Sequence, residues 1–478
     1  MELALDSDTA RVQELFGRQR LAFRRQAPPP VQVRLDRVAR LRSVVVEARE
    51  RLFRAVHDDF GAKSREEFAV SEVATVVQAC DHMSKHLRRW SRPWRVRTSW
   101  RLWPGRSRLH PQPLGVVGIV SPWNYPVYLS LVPLVGALAA GNRVMLKPSE
   151  FTPHTSDLLL ELLDDAFGDE LVGVVPGGVE IAEAFCRLPF DHLLFTGSTE
   201  VGRKVMMAAA ENLTPVTLEL GGKSPAVLSE DVFRPKRIHR VCVSLAIGKL
   251  INAGQTCIAP DHVWIPRRRR HDFVDAFTAA VRELYPTLLD NPDYTGILQE
   301  RHFDRLTGWL REAREAGVEV ISLEAPGEEF SGQKAKLAPT LLVDPPDHLA
   351  VMQNEIFGPI LPIKTMGDVD EAIEGINRRP RPLAMYVFSD DRRIRRRLLS
   401  ETWAGGVSVN ETLAHCIEER LPFGGVGASG LGSYHGEYSF RTFSHMKPVF
   451  TRTALDPMKV LRPPYGDWAR RILDWLIR

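Results

Sequence analysis

The sequence predicts an α/β protein built around a doubly wound parallel sheet. Residues 111–142 carry no charged side chain and divide into an apolar strand, a turn and an apolar helix, and a second apolar strand follows directly. Strands that are apolar on both faces are typical of a parallel sheet covered by helices on its two sides. Short apolar strands and helices then alternate to about residue 412, which predicts that the α/β pattern extends through most of the chain.

The uncharged stretch has the length of a membrane span, which needs about 20 apolar residues. However, the segment is interrupted by Pro122, Asn124, Pro126 and Pro133. We therefore interpret LGVVGIVSP as a buried strand, WNYP as a turn and VYLSLVPLVGALAAG as a buried helix. With RVMLKPS as the next strand, this segment is a β-α-β unit of a protein core.

The remaining elements follow from hydrophobic periodicity. Residues 8–90 are predicted to be mainly helical, with a loop at 27–32, because apolar residues recur every three or four positions. Trp and Val alternate with Arg between Trp90 and Leu109, which favours an exposed strand or hairpin over a nucleic-acid-binding surface. The later segments form one ordered series: helix 155–168, strand LVGVVPG, helix 179–187, strand HLLFTGS, helix 199–212 and strand PVTLELGG.

Composition narrows the class of protein. The chain has 478 residues, 44% of them hydrophobic and 26% charged, a balance typical of a globular protein. Its net charge of +4 gives no electrostatic support for nucleic-acid binding. The five cysteines are scattered, which argues against a disulfide framework and a zinc site. The first residues lack an apolar signal segment, so we expect a reduced, cytoplasmic compartment.

Four polar segments are candidates for chemistry. Cys257 lies in NAGQTCIAPD among small and polar residues, where a thiol has the access that a nucleophile needs. FTGSTEVG, with Gly197 and Gly202, joins a predicted strand to a helix whose first amide groups can face phosphate oxygens. Glu219 in LELGGKSP and Glu355 in NEIFGPILP each provide a carboxyl group beside glycine. Each segment alone is equally compatible with an ordinary turn or a surface acid.

Taken together, the motifs resemble those of the aldehyde dehydrogenase superfamily. The resemblance covers about residues 35–450, and GQTCIAPD, HFDRL and HGEYSFRTFSH are most similar to the dimeric class-3 branch and the related coniferyl aldehyde dehydrogenases. Seven motifs occur in the order of that family: SPWNYP (121–126), KPSE (147–150), FTGSTEVG (195–202), LELGGKSP (218–225), GQTCIAP (254–260), NEIFGP (354–359) and LPFGGVGASG (421–430).

The resemblance implies a covalent mechanism. Cys257 attacks the aldehyde as a thiolate, and the oxyanion of the thiohemiacetal is held by Asn124 and the Cys257 amide. Hydride transfer to NAD(P) then leaves a thioester, which Glu219 hydrolyses by activating water. The product is a carboxylic acid, and the substrate is an aromatic or medium- to long-chain aliphatic aldehyde. We expect Trp403, Ile417 and Phe443 to line an apolar substrate tunnel.

The resemblance also implies a cofactor site without a metal. Lys147 and Glu150 reach the adenosine ribose, and Glu150 favours NAD, although NADP remains possible. The nicotinamide ribose is held by Glu355, with Phe357 packing beside it. Gly197, Ser198, Gly202 and Trp123 complete the set of cofactor residues.

A change of composition around residues 221–235 marks a domain boundary, and we divide the chain into four regions. We expect an NAD(P)-binding domain from residues 1–90 and 111–222, a catalytic domain at 223–412, and bridging, oligomerisation segments at 91–110 and 413–450. The segment 451–478 is predicted to be an amphipathic tail with Trp468, Ile472, Trp475 and Leu476 on one face. That face either docks on its own subunit or makes peripheral contact with a membrane. We expect a homodimer.

Two other functions remain open from the sequence. One is a non-catalytic membrane-surface or scaffold protein that keeps the fold, against which the intact Cys257, Asn124 and Glu219 argue. The other is an aldehyde dehydrogenase that transfers the acyl group to coenzyme A. Glu219 favours hydrolysis over that transfer, because it provides a base for water.

Overall fold

Three β-sheets and the helices around them form the protein. The computed structural model describes residues 2–330, 335–454, 459 and 461–478. The sheets have six, seven and three strands, and the two larger ones are mainly parallel. The predicted α/β class, with a doubly wound sheet, a second α/β unit and a small additional β element, is confirmed.

Eighteen α-helices are described. They are α1 (Glu2–Arg25), α2 (Val31–Glu47), α3 (Arg49–Phe60), α4 (Arg65–Phe68), α5 (Thr75–Trp90), α6 (Tyr128–Ala140), α7 (Pro153–Phe167), α8 (Val179–Cys186), α9 (Thr199–Ala210), α10 (Pro235–Leu250), α11 (Arg270–Leu284), α12 (Glu300–Glu315), α13 (Ala350–Gln353), α14 (Val369–Asn377), α15 (Arg392–Glu401), α16 (Ala414–Ile417), α17 (Gly436–Thr442) and α18 (Asp467–Ile477). A π-helical turn, Ala69–Ala74, joins α4 to α5.

Sixteen strands are described. They are β1 (Trp94–Val96), β2 (Arg106–Pro113), β3 (Val116–Val120), β4 (Arg143–Lys147), β5 (Val172–Val174), β6 (His192–Gly197), β7 (Val216–Leu220), β8 (Pro225–Leu228), β9 (His262–Pro266), β10 (Glu319–Ser322), β11 (Thr340–Val343), β12 (Ile360–Met366), β13 (Ala384–Phe388), β14 (Gly406–Val409), β15 (Gly430–Leu431) and β16 (Ser444–Thr451).

The six-stranded sheet has the order β15-β7-β6-β3-β4-β5. The chain starts in the middle at β3, runs outward through β4 and β5, and returns to β6 on the other side of β3. This reversal of direction makes a crevice at the carboxyl ends of β3 and β6, the position where doubly wound sheets bind ligands. Asn124, Lys147 and Ser198 all lie at that edge, because each ends or follows one of these parallel strands.

The seven-stranded sheet has the order β10-β11-β12-β9-β8-β13-β14, and the four residues 221–224 separate its first strand along the chain, β8, from β7. The three-stranded antiparallel sheet joins β1 and β2 to β16, so it combines two distant parts of the chain. The exposed hairpin predicted between Trp90 and Leu109 is therefore confirmed, with β1 paired to β2. The predicted bridging segment 413–450 contains β15 and the beginning of β16. β16 belongs to this small sheet, whereas β15 pairs with β7 of the six-stranded sheet.

The uncharged segment forms the centre of the core, as the sequence predicted. Every residue of β3 is buried, and so is every residue of α6 from Leu129 to Ala140. No helix in the ranges described above is both long and apolar enough to cross a membrane. The N-terminal helices α2 and α5 pack against α6 and complete one face of the sheet.

The tail helix α18 contacts its own chain. Ala469 is fully buried, Ile472 and Leu476 are half-buried, and the Trp475 ring lies 5.7 Å from the Trp100 ring. Trp468 and Trp475 nevertheless remain mostly exposed. The predicted apolar face is therefore only partly covered. Ile472 and Leu476 pack against the rest of the chain, whereas Trp468 and Trp475 are exposed to solvent. Residues 455–458 and 460 of the predicted tail lie outside the described residues.

Candidate active site

Cys257 follows a left-handed turn at the end of α10. Asn252, Ala253 and Gly254 have φ values of 53°, 52° and 77°. A Cβ atom on Gly254 would overlap the Gly358 carbonyl oxygen, so the tight approach of these two loops requires glycine there. The turn ends α10 abruptly and leaves the thiol of Cys257 half-buried beside the carboxyl edge of the six-stranded sheet.

Asn124 lies directly beside this loop. Its side-chain amide donates to the Gln255 carbonyl oxygen over 3.0 Å, and its backbone carbonyl accepts from Asn252 Nδ2 over 2.9 Å. The next residue, Tyr125, pairs its hydroxyl with Thr256 Oγ1 over 2.7 Å. Three hydrogen bonds therefore fix the segment after β3 to the Cys257 loop, and one N–H of the Asn124 amide remains for another acceptor.

Glu219 lies near the end of β7 and faces the same region. Both of its carboxylate oxygens are buried, and neither has a hydrogen-bond partner among the described residues. Burial raises its pKa well above the ordinary value of 4.5. A buried carboxyl without partners next to a thiol is suited to take up and release a proton.

The Cys257 thiol has a raised pKa as well. Burial is the main cause, and the nearby Glu355, Cys416 and Glu219 groups add to it by disfavouring a second negative charge. These interactions place the thiol within electrostatic reach of both Glu219 and Glu355. The thiol is therefore protonated near neutral pH in the free protein, and its attack on a substrate needs a proton acceptor.

Glu355 reaches the site from the loop after α13. Its carboxylate accepts from the Gly222 amide and lies so close to Gly221 that a Cβ atom there would overlap it. Burial, together with the charge of Asp261, raises the pKa of Glu355 to about 8. Its Oε1 is buried and has no partner among the described residues, so it can accept a hydrogen bond from a ribose hydroxyl.

Phe357 and Trp123 form an aromatic wall beside this carboxylate. The two rings meet edge to face at 5.4 Å, and the His302 ring lies 5.2 Å from the Trp123 ring. Phe357 has a φ of 51°, which turns the chain sharply after Glu355. Burial, followed by the charges of Arg305 and Arg301, lowers the pKa of His302 to about 4, so this ring is neutral.

Lys147 and Glu150 lie at the end of β4. The buried Lys147 ammonium donates to the Pro148 carbonyl over 2.8 Å and lies 3.6 Å from Glu150 Oε2. The Glu150 side chain is partly exposed. A carboxylate at this edge fits a ribose with two free hydroxyls better than one carrying a phosphate, because like charges repel.

Gly197, Ser198 and Gly202 lie around the beginning of α9. Ser198 caps the helix by accepting from the Val201 amide, and the helix itself supplies no acceptor for the amides of Thr199 and Glu200. An anion such as pyrophosphate fits there. The Gly202 amide already donates to Ser198, and a Cβ atom on Gly202 would overlap Leu220, so this glycine permits close packing of α9 on β7.

One of the three residues expected to line a substrate tunnel lies in the core instead. Trp403 and Ile417 are exposed, but Phe443 is fully buried, 5.6 Å from His192 and packed against α6. The interpretation of Phe443 as a tunnel residue was wrong. Apolar character alone does not distinguish a core residue from one that lines a tunnel.

A buried ion pair that sequence motifs do not reveal joins three of the motif loops. The Lys223 ammonium pairs with Asp261 and also donates to the carbonyls of Val351 and Asn354, each over 2.8 Å. Asp261 in turn accepts from the Ile356 amide over 2.8 Å. Both residues lie within recognised motifs, but their pairing depends on contacts between residues 38 positions apart in sequence.

Comparison with known proteins agrees with this geometry. The profile of the aldehyde dehydrogenase family matches residues 4–449. A probable coniferyl aldehyde dehydrogenase of Caulobacter vibrioides is 45% identical over 484 aligned positions, which cover 100% of this chain and 99% of the relative. Aldehyde dehydrogenase family 3 member A2 of mouse is 41% identical, over 91% of this chain and 87% of the relative.

A solved structure gives the same result. The substrate-bound state of AldH from Staphylococcus aureus superimposes with a TM-score of 0.91 at 36% identity, covering 98% of this chain and 99% of the other. The predicted resemblance to the class-3 and coniferyl branch is confirmed. The chain belongs to the aldehyde dehydrogenase family, and it is an NAD(P)-dependent oxidoreductase that acts on aldehydes.

Proposed function

We propose that Cys257 is the nucleophile of this aldehyde dehydrogenase, Asn124 its oxyanion donor and Glu219 its general base. The observation that carries this assignment is the joining of Asn124 to the Cys257 loop through Gln255 and Asn252. A half-buried thiol, an amide and an unpartnered carboxyl then face one region at the crevice of the six-stranded sheet.

The protein residues divide the reaction into two stages. The Cys257 thiol gives its proton to solvent, and its sulfur attacks the carbonyl carbon. The resulting oxyanion accepts hydrogen bonds from the free N–H of Asn124 and from the Cys257 amide. When bound, NAD(P) supplies the hydride acceptor for this intermediate. Glu219 then takes a proton from water, which attacks the thioester, releases the carboxylic acid and restores the thiol.

We infer that NAD is bound along the carboxyl edge of the six-stranded sheet. Glu355 holds the nicotinamide ribose beside Phe357 and Trp123, and Lys147 with Glu150 holds the adenosine ribose. Gly197, Ser198 and the amides at the start of α9 would hold the pyrophosphate, and Gly202 would let α9 pack closely behind them. Glu150 favours NAD over NADP by its negative charge.

An aromatic aldehyde is the proposed substrate, and coniferyl aldehyde is the representative compound. The name of the Caulobacter relative supports this choice, as do the aromatic residues near Cys257. The Tyr128 hydroxyl lies 3.7 Å from Cys416 Sγ and 3.1 Å from His435 Nε2, and Cys416 is close enough to Cys257 to contribute to its raised pKa. Medium- and long-chain aliphatic aldehydes are the alternative class.

The experiment compares the wild type with Cys257→Ala on cinnamyl, benzylic, short aliphatic and long aliphatic aldehydes, with NAD and with NADP. We expect the wild type to prefer cinnamyl aldehydes with NAD, and Cys257→Ala to form no NADH while still binding NAD in a fluorescence titration. Cys80→Ala, which removes a buried thiol of α5, is the control. Full turnover by Cys257→Ala would contradict the assignment.

We further propose a homodimer with peripheral membrane contact. The outer edge of β16 in the three-stranded sheet and the edge strand β14 of the larger sheet are both available for pairing with a second copy. Trp100, Trp103, Trp468 and Trp475 form an exposed aromatic patch, each at least 64% exposed. Arg470, Arg471 and Arg478 place positive charge next to the patch, as in helices that lie in an anionic membrane surface.

A further inference from the structure

A buried ion pair between Lys63, in the connection before α4, and Glu67, in α4, reaches the loop that carries Cys257. Lys63 Nζ lies 2.8 Å from Glu67 Oε1, and the two side chains are 0% and 10% exposed. Lys63 also donates to Asn252 Oδ1 over 2.7 Å, and Glu67 Oε2 accepts from the Asn252 amide over 2.8 Å. Both members of the pair therefore bind one residue that is 185 or more positions away in sequence.

Asn252 connects this pair to the reacting groups. Its side-chain amide donates to the Asn124 carbonyl over 2.9 Å and to the Gln255 carbonyl over 3.2 Å. Its own carbonyl accepts from Gln255 Nε2 over 2.9 Å. Each polar group of Asn252 thus has a partner, and the partners lie on the loop of Cys257, on Asn124 and on the ion pair.

The backbone of Asn252 and Ala253 needs such support. Left-handed conformations are unfavourable for residues with a Cβ atom, and two such residues in succession persist only when surrounding contacts hold them. Glu67 holds the Asn252 amide from one side, and Lys63 holds its side chain from the other. The left-handed turn determines where the chain emerges toward Cys257.

Surrounding side chains hold the Lys63–Glu67 ion pair in position. The Lys63 ammonium lies over the rings of Phe60 at 5.2 Å and Tyr125 at 5.3 Å, and Thr295 donates to Glu67 Oε1 over 3.0 Å. Removing two charges from water is costly, and apolar side chains of similar size often stabilise a fold as well as a buried pair does. Apolar replacements would, however, provide neither the donor nor the acceptor that Asn252 uses.

We propose that Lys63 and Glu67 are positioning residues for aldehyde oxidation. By fixing Asn252, they set the distance between the Asn124 amide and the Cys257 sulfur. This inference rests on the proposed roles of Cys257 and Asn124, and it adds two residues that touch neither the substrate nor the cofactor.

The first test is Glu67→Gln, which preserves the size of the side chain and removes its charge. We expect kcat to fall about 10- to 100-fold, because a misplaced oxyanion donor loses much of its effect. The NAD dissociation constant should change little, whereas the thermal midpoint should fall, because the Lys63 ammonium is left buried without its counter-ion. Glu66→Gln, an exposed neighbour on the same helix, is the matched control and should retain wild-type kcat.

A double-mutant cycle separates positioning from general stability. In an Asn124→Ala background, Glu67→Gln should lower kcat less than about threefold, since the group that it positions is already absent. Equal losses in both backgrounds would overturn the proposal. If Asn124→Ala alone keeps full activity, the proposed oxyanion role fails instead, and the two failures are thereby distinguished.

The double variant Lys63→Met/Glu67→Leu tests the same point with an apolar pair. We expect a thermal midpoint near that of the wild type, a reduced kcat and slower alkylation of Cys257 by iodoacetamide. Wild-type kcat in this variant would overturn the proposal. If Glu67→Gln does not fold, Asn252→Gly takes its place in the cycle, because glycine adopts the positive φ and removes the linking amide.

Discussion

The side-chain amide of Asn124 is hydrogen-bonded to the backbone carbonyl of Gln255, two residues before Cys257. This bond uses one of the two N–H groups of the amide and orients the other. A donor that is fixed before substrate binds needs no reorganisation when the oxyanion forms. The relationship also joins the two α/β units, because Asn124 follows β3 and Gln255 follows α10.

We predict that Asn124→Ala lowers kcat/KM about 10²- to 10³-fold, the usual cost of losing one oxyanion donor. NAD binding should be unchanged, since Asn124 does not contact the proposed ribose positions. Steady-state kinetics and a fluorescence titration measure the two quantities. Asn212→Ala removes an exposed amide that likewise donates to a carbonyl, and it should have wild-type kinetics. Weak NAD binding by Asn124→Ala would contradict a role confined to the oxyanion.

Glu219→Gln should block hydrolysis of the thioester while it leaves acylation possible. We expect kcat to fall about 10²- to 10⁴-fold, the usual contribution of a general base. One equivalent of NADH per site should still form in a rapid burst, measured by stopped-flow absorbance. Glu180→Gln, an exposed acid of α8, is the control. Absence of the burst would show that Glu219 is also required for attack by Cys257.

The wild-type hydrolysis rate should rise with pH. Burial raises the pKa of Glu219, and the group must lose its proton before it can activate water. The rate therefore increases with pH as this carboxyl group ionises, and this dependence should be absent from Glu219→Gln. When coenzyme A is added, the main product of the wild type should remain the free carboxylic acid. A coenzyme A thioester as the main product would favour the acyl-transfer alternative.

Glu72→Gln should change how stability depends on pH. Burial raises the pKa of Glu72 to about 7, against the opposing effects of Lys63 and the amides of Val127 and Tyr128. The folded state therefore holds this proton more tightly than the unfolded state. The associated stability is complete below about pH 4.5 and is lost as pH rises through about 7.

Glutamine cannot ionise and retains an acceptor for the two amides. We expect the variant to match the wild type at pH near 5 and to exceed it by about 1–3 kcal/mol above pH 8, with a higher thermal midpoint. Thermal unfolding at a fixed scan rate, at pH near 5 and above pH 8, measures the difference in stability between the variant and the wild type. A variant less stable by the same amount at both pH values would contradict the assigned titration.

The exposed aromatic patch formed by Trp100, Trp103, Trp468 and Trp475 should bind anionic vesicles. We expect the full chain to float with vesicles of phosphatidylglycerol and phosphatidylcholine at low salt, and to float less with phosphatidylcholine alone. Truncation before Pro464 and the double variant Trp468→Ser/Trp475→Ser should both lose binding. Trp403→Ser removes an exposed tryptophan elsewhere and should float normally. Equal flotation of all forms would contradict a membrane role for the tail.

The candidate site divides into residues that sequence motifs identify and residues that they do not. Cys257, Glu219 and Glu355 could be chosen because each lies in a polar, glycine-containing segment between apolar elements. Lys63, Glu67 and Asn252 could not, because a lysine and a glutamate four positions apart in sequence usually form an ordinary surface pair. Their function depends on a partner far away in the chain.

The sequence by itself determined the α/β class, the order of strands and helices and the family, because hydrophobic periodicity and short motifs are local properties. Only the tertiary structure decided which polar groups meet. It showed that Phe443 packs in the core, that Ile472 and Leu476 dock while Trp468 and Trp475 do not, and that Lys63 reaches Asn252. The physical reason is that a hydrogen bond or a buried charge pair requires atoms about 3 Å apart, and sequence spacing does not fix such distances between segments that are far apart along the chain.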